Sequence, residues 1–205
     1  MANTLNTFKF SILTSILAMS VGLIHAQPVP GQSVNIRGTV SAFDGKLISV
    51  NSRDHGALQV ILPDTVNVSG TKAITLADIQ PGTPLGVTTV KRADGATVAI
   101  DIRPIPATAP QGLSPFDLAP NSTMTNATLE GQMVSGNGSE LMLNYKTGTI
   151  KVIVPPGTPM SQAVPGKRED IKPGETIFIS ARVGEGNTLT AARVQVSTNG
   201  VKPTQ

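Results

Sequence analysis

The sequence has no cysteine and no tryptophan, one tyrosine, five phenylalanines and two histidines among 205 residues. Each shortage removes a class of chemistry. Without cysteine there is no disulfide, no thiolate nucleophile and no thiolate metal site, so the fold is held by packing alone. His25 falls in an N-terminal leader, which leaves His55 as the only histidine in the remainder. A Ser-His-Asp triad could be built only around His55, and a zinc site would need carboxylates in place of Cys and further His. The aromatics outside the leader are Phe43, Phe116, Tyr145 and Phe178. Four scattered rings make a poor platform for stacking sugars or single-stranded nucleic acid. An excess of one charge is also lacking. Sixteen Lys and Arg against 13 Asp and Glu give a formal net charge of +3, one unit of it from Lys9 in the leader. That balance is a weak electrostatic footprint for nucleic acid or anionic lipid. The composition predicts no enzyme, no catalytic or cofactor-binding residue and no metal site.

Long hydrophobic runs are missing except at the start. Met1 to Ala26 carries Lys9, then an uncharged stretch from Phe10 to Ile24, then Ile24-His25-Ala26 before Gln27-Pro28. This is the layout of a secretory signal with cleavage after Ala26. The stretch is short of the roughly 20 residues that span a bilayer. The reading is of an exported protein, periplasmic or extracellular, not membrane-integral once residues 1–26 are removed.

What is present is a repeat. Displaced by about 92 positions, "VNIRGTV" (34–40) meets "ATLEGQM" (127–133), aligning Gly38 with Gly131. "QVILPDTV" (59–66) meets "KVIVPPGT" (151–158), and "DIQPG" (78–82) meets "DIKPG" (170–174). The last strands, "ATVAIDIR" and "NTLTAARVQV", correspond with a one-residue drift. Each copy reads as three strands, a short helix and two strands. Asp44-Gly45 marks the first hairpin, and Thr75 and Asp78 stand at capping-box spacing for the helix. Pro81-Gly82 then stops that helix. Five strands with a helix between the third and fourth is the order of an OB-fold. The expected fold class is all-β: two tandem five-stranded OB-like β-barrels, over 34–105 and 127–197. Ile79 and Ile171 are expected to plug the barrel ends.

Across the chain outside the leader, the sequence resembles secreted bacterial proteins with tandem OB-like domains of unknown function. The likeness rests on Gly38-Thr39-Val40 in strand one, the two Asp-Ile-x-Pro-Gly turns and the closing strand from Gly186 to Val194. The segment "NSTMTNATLEG" (121–131) also resembles a bridge in some of them. The first copy departs at Ile100-Asp101-Ile102. The resemblance implies a fold and no activity.

Asp44, Asp54 and Asp94 sit beside glycine or in turns, where Asp is favoured for backbone reasons. "KRED" (167–170) reads as a solvated helix start. The partner-binding candidates are the basic pair Lys91-Arg92, as an anion-binding edge, and Phe116 and Leu118 in the bridge 106–126. Leu113, Phe116, Leu118 and Met124 give that bridge more apolar content than a solvated linker needs, so it is expected to dock and join the barrels rigidly. The function expected is a non-catalytic binding or adaptor module of the cell envelope, with an envelope protein or glycan as partner and no cofactor. The alternative is a periplasmic oligosaccharide or small-molecule binding protein, and the third, least favoured reading is an enzyme that works with carboxylates and lysines alone.

Overall fold

The computed structural model describes residues 30–135 and 138–204. The expected leader 1–26 and cleavage site, and Gly136 and Asn137 of the expected first hairpin turn of the second copy, lie outside the described residues. The first copy forms β1 (Ser33–Phe43), β2 (Leu47–Ser52), β3 (Gly56–Ile61), β4 (Val68–Ala73), β5 (Pro84–Lys91) and β6 (Thr97–Pro104). The bridge contributes β7 (Gly112–Phe116). The second copy forms β8 (Ser122–Ser135), β9 (Gly138–Asn144), β10 (Thr149–Val154), β11 (Ser161–Pro165), β12 (Thr176–Val183) and β13 (Leu189–Val196).

The turns form as their chemistry dictates. Asp44 Oδ1 accepts from the Lys46 and Leu47 amides at 2.8 and 2.7 Å, and Gly45 takes the positive φ of 97° that the hairpin requires. The expected short helices are only single 3-10 turns, Leu76–Asp78 and Arg168–Asp170. Asp78 Oδ2 accepts from the Thr75 amide at 2.8 Å and Asp170 Oδ2 from the Lys167 amide at 2.7 Å. Three residues do not repay helix nucleation, and the proline two residues past each isoleucine biases its preceding residue away from α. Ile79 and Ile171 turn extended instead and are 2% and 3% exposed, each inside a core.

The strands pair in an order that the repeat alone does not announce. In one ring β1 pairs with β2, β2 with β3, β3 with β13, β13 with β12, and β12 with β1 again. In the other, β8, β9, β10, β6 and β5 close in the same manner, with β7 added at the edge of β8. The β3–β13 and β10–β6 contacts are parallel and the remaining ring pairings antiparallel. Each ring thus takes three strands from one copy and two from the other. Segments 34–105 and 127–197 do not each close a barrel, contrary to the tandem expectation. The reason lies after the third strand of each copy. The chain runs on as β4 or β11 and crosses to the other ring. These crossing strands pair antiparallel, with Thr71 opposite Ala163 and Gly70 opposite Val164. Thr71 and Ala163 are also repeat equivalents, so the pairing maps onto itself and a pseudo-two-fold passes between them.

The two cores follow this exchange. Ile36, Ile48, Val50 and Val60 pack with Ile177, Ile179, Val194 and Val196, while Leu85, Val87 and Ile102 pack with Leu129, Leu141, Leu143 and Val152. Ile79 of the first copy lies in the core built on the second copy's β8–β10, and Ile171 in the reciprocal one. Arg168, expected in a solvated helix start, instead donates to the Leu62, Pro63 and Gly45 carbonyls at 3.0, 3.0 and 2.7 Å, tying the second copy's turn to the first copy's strands.

The last strands show no drift. Registers skip Ile100 between β5 and β6 and Ala192 between β12 and β13, at equivalent places. The bridge is a hairpin arm: Gly112–Phe116 pairs with Ser122–Asn126, so β8 begins inside the 106–126 segment. Met124 is 5% exposed and Phe116 is half-buried, but Leu113, on the outer strand, is 45% exposed and adds nothing to docking.

Candidate functional site

The bulges decide where charge goes. Strict alternation from the buried Ala99 would send Ile100 outward and Asp101 into the core. The extra residue at Ile100 resets the phase, so Ile102 points in while Asp101 and Arg103 share the outer face. The same bulge at Ala192 puts Arg193 and Gln195 on the outer face of the other ring. On β1, Ile36 fills the core and Arg37 faces outward, paired in register with Phe178. These outer faces are not solvated. Arg37 and Arg103 are each 8% exposed and Asp101 is fully buried.

Together they form an alternating stack. Arg193 lies over Phe178 at 5.9 Å, and Arg37 lies over both Phe178 and Phe116 at 5.5 Å. Arg103 lies over Phe116 at 5.9 Å, so the order is Arg193, Phe178, Arg37, Phe116, Arg103. Guanidinium planes stack on ring faces through cation–π attraction. Phe116 is therefore the bridge's anchor between the rings. Where the first ring has Phe178, the second has its repeat equivalent Gly86, whose missing side chain leaves room for the Arg103 guanidinium 3.5 Å from where a Cβ would stand.

Carboxylates balance the stack. Arg37 Nη2 donates to Asp117 Oδ1 at 2.7 Å, and Asn35 donates to Asp117 Oδ2 at 3.2 Å. Burial raises the Asp117 carboxyl, but the bonds from Arg37 and Asn35 prevail and hold it below the usual range. Arg103 Nη1 donates to Asp101 Oδ2 at 2.6 Å, and Thr204 Oγ1 of the C-terminal tail donates to Asp101 Oδ1. Burial pushes the Asp101 carboxyl up and the Arg103 guanidinium down, and their mutual contact opposes both shifts. The polar chain continues from Arg193 to Gln195 at 3.3 Å and from Gln195 to Thr71 at 3.1 Å, which reaches the pseudo-two-fold.

Beside the stack a cleft of about 480 Å³ opens, with Arg37, Arg53 and Lys202 on its wall beside Leu118, Pro159 and Pro203. The C-terminal tail forms part of the rim. Among the described residues no aspartate or glutamate lines the cleft.

Of the sequence-predicted candidates, Phe116 stands in the stack and Leu118 in the cleft. Lys91 and Arg92 are elsewhere, at the β5–β6 turn. Lys91 Nζ donates to Thr97 Oγ1 at 2.7 Å, and Arg92 is held by Asp94 at 2.5 Å. That pair brings no free cation to the cleft. Asp94 is drawn down to about 2 by Arg92 and the Ala96 amide, and Asp54 is lowered by Arg53. Arg37, Arg103, Arg193 and Phe178 were not legible as a group. The one local signal was Asp101 between two isoleucines. Among the described residues no group of three or more His, Cys, Asp or Glu is arranged to hold a metal, and no helix is long and apolar enough to cross a membrane. Comparison with protein-family models, with curated proteins and with solved structures finds no match.

Proposed function

We propose that the protein is an exported, non-catalytic binding module of the cell envelope, made of two OB-like barrels, whose ligand sits in the cleft between them. The OB-like reading is supported by the pairing order of each ring, in which the third strand meets the fifth in parallel and the fourth returns to the first. Export is supported by the Met1–Ala26 leader pattern. The observation that carries the binding reading is the cleft itself. It has the size of a small-molecule site, sits at a junction between two units, and is walled by cations and apolar groups with no carboxylate to act as acid or base. Asp101 and Asp117, the nearest acids in the stack, are committed to Arg103 and Arg37.

A second reading, an adaptor for an envelope protein, is favoured by another surface. Met133 and Met142 on β8 and β9 are 67% and 39% exposed and lie together, apolar surface of the kind interfaces use. The immobilised full chain, challenged with envelope extract separated into small molecules, glycans and proteins, discriminates. Retention of a small molecule or glycan that is lost in Leu118→Trp and kept in Met133→Asp supports the cleft. The reverse pattern, with a retained protein, supports the adaptor. Recovery of a chemically altered ligand would remove the non-catalytic reading.

A further inference from the structure

We propose that the cleft recognises an anionic group, a carboxylate or a phosphate, on a small ligand, with Arg37, Arg53 and Lys202 as the residues that hold it; this rests on the cleft being the binding site. Three cations and no aspartate or glutamate line one wall, in a chain whose Lys/Arg and Asp/Glu totals nearly cancel. Arg37 is paired with Asp117 and Arg53 with Asp54, both outside the lining, so the carboxylates lie behind the cations and Lys202 adds a charge with no such partner.

The three cations differ in how they are engaged. Lys202 is exposed and has no hydrogen-bond or ion-pair partner among the described residues. Arg53 gives its Nε to Asp54 at 3.0 Å, in a pair about half exposed on both sides, which a competing anion can share. Arg37 is fixed by two rings and Asp117, yet its buried Nε has no acceptor. That Nε is out of solvent reach, as are the unpartnered Thr88 and Thr125 hydroxyls, so what Arg37 brings to the cleft is its charge. Guanidinium groups bind carboxylate and phosphate through paired N–H donors, and an ammonium adds a movable point charge. Thr39 and Thr176 add hydroxyls to the lining, while the Thr204 hydroxyl is already given to Asp101. Leu118, Pro159 and Pro203 give the ligand's body an apolar floor, and about 480 Å³ admits a molecule of one or two sugar rings. Of the three, Arg37 is pre-placed, because the stack holds it before any ligand arrives, and this lowers the ordering cost of its part in binding.

The experiment titrates the isotope-labelled full chain with glucose, glucuronate and glucose 6-phosphate, which share a body and differ in charge, and follows the backbone amides by NMR. Glucuronate or glucose 6-phosphate is expected to shift Gly38, Thr39 and Thr204, and glucose is not. The two anions separate carboxylate from phosphate preference. Arg53→Ala/Lys202→Ala, both surface changes, should weaken the binding at least 10-fold and leave the melting temperature unchanged. Raising ionic strength from 0.01 to 0.15 M cuts the Debye length from about 30 to about 8 Å, so the affinity should fall several-fold over that range. Glucose shifting the cleft amides as strongly as the anions, or anion binding untouched by the double substitution, would overturn the anionic assignment and leave the cleft as a binding site. Failure of all three to shift any cleft amide would overturn both.

Discussion

Cutting the chain in the bridge is expected to leave one particle, not two. A protease site inserted between Ala107 and Thr108, both exposed, separates β1–β6 from β7–β13. If each half were a barrel, the cut would release two stable domains. The strand exchange dictates otherwise. The first ring draws Ile171, Ile177, Ile179, Val194 and Val196 from the second half, all 3% exposed or less. At roughly 1.5–3 kcal/mol per buried side chain, their loss removes about 8–15 kcal/mol of burial. That equals the whole net stability of an ordinary domain, about 5–15 kcal/mol. The second ring loses Ile79, Leu85, Val87 and Ile102 in the same way. The nicked protein should therefore elute at the volume of the uncut chain, and its fragments should part only in denaturant. Its melting temperature should become concentration-dependent, since unfolding now releases two chains. Two folded fragments eluting separately under native conditions would refute the exchange and restore contiguous barrels.

Four further outcomes follow from named contacts. Phe116→Ala should lower stability by about 2–3 kcal/mol, since it removes a half-buried ring and two cation–π contacts; in thermal melts Phe116→Leu, which keeps the bulk, should recover only part of this. Asp101→Asn and Arg103→Met should each cost about 3–5 kcal/mol by leaving a buried partner unpaired, while the double substitution should cost far less than the sum in denaturant melts. Asp117 is held below its ordinary 3.8, so its stabilisation is present above about pH 4 and lost as pH falls through its folded value. Asp101, raised by burial, has the opposite sign and loses stability as pH rises above 3.8. Melting temperatures from pH 6 to 2 should therefore drop less steeply below pH 4 in Asp117→Asn than in the parent. Gly38→Ala should cost about 1–3 kcal/mol, because its Cβ would strike the Asn51 carbonyl and stand 2.8 Å from Ser52 Cα, whereas Gly131→Ala, with nothing within 4 Å, should melt like the parent.

The strands and turns were legible because they are local. Asp44-Gly45 marked the first hairpin, and Pro81-Gly82 marked the turn into the fourth strand of its copy. The exchange was not legible, because alternation fixes which face of a strand is buried and says nothing about which of two equivalent partners covers its edge. That choice lies in residues 64–75 and 156–167, where the chain extends across instead of folding back. The site was half legible for the same reason. Phe116 stood out as an apolar residue in a polar bridge. Arg37, between Ile36 and Gly38, looked like any outward residue on a half-solvated sheet, and only the other ring makes its face an interior. Arg193 was further hidden by the apparent drift of the last strand, which concealed that it occupies the place of Asp101.

The pseudo-two-fold through Thr71 and Ala163 has a consequence for how such a molecule can specialise. A chain with one copy would have to borrow its last two strands from a second chain, and its assembly would depend on concentration. Joining the copies makes the loan intramolecular and fixes it at any dilution. It also frees the two halves to differ. In a symmetric pair, every position facing the axis meets the same residue twice, and like charges would oppose one another. Here Asp101 on one side answers to Arg193 on the other, Arg103 to Gln195, and Gly86 to Phe178. A symmetric pair would repeat each of these residues across the axis, and the unequal column of arginines and rings could not form. The fused chain has a left hand and a right hand, and the two can diverge residue by residue.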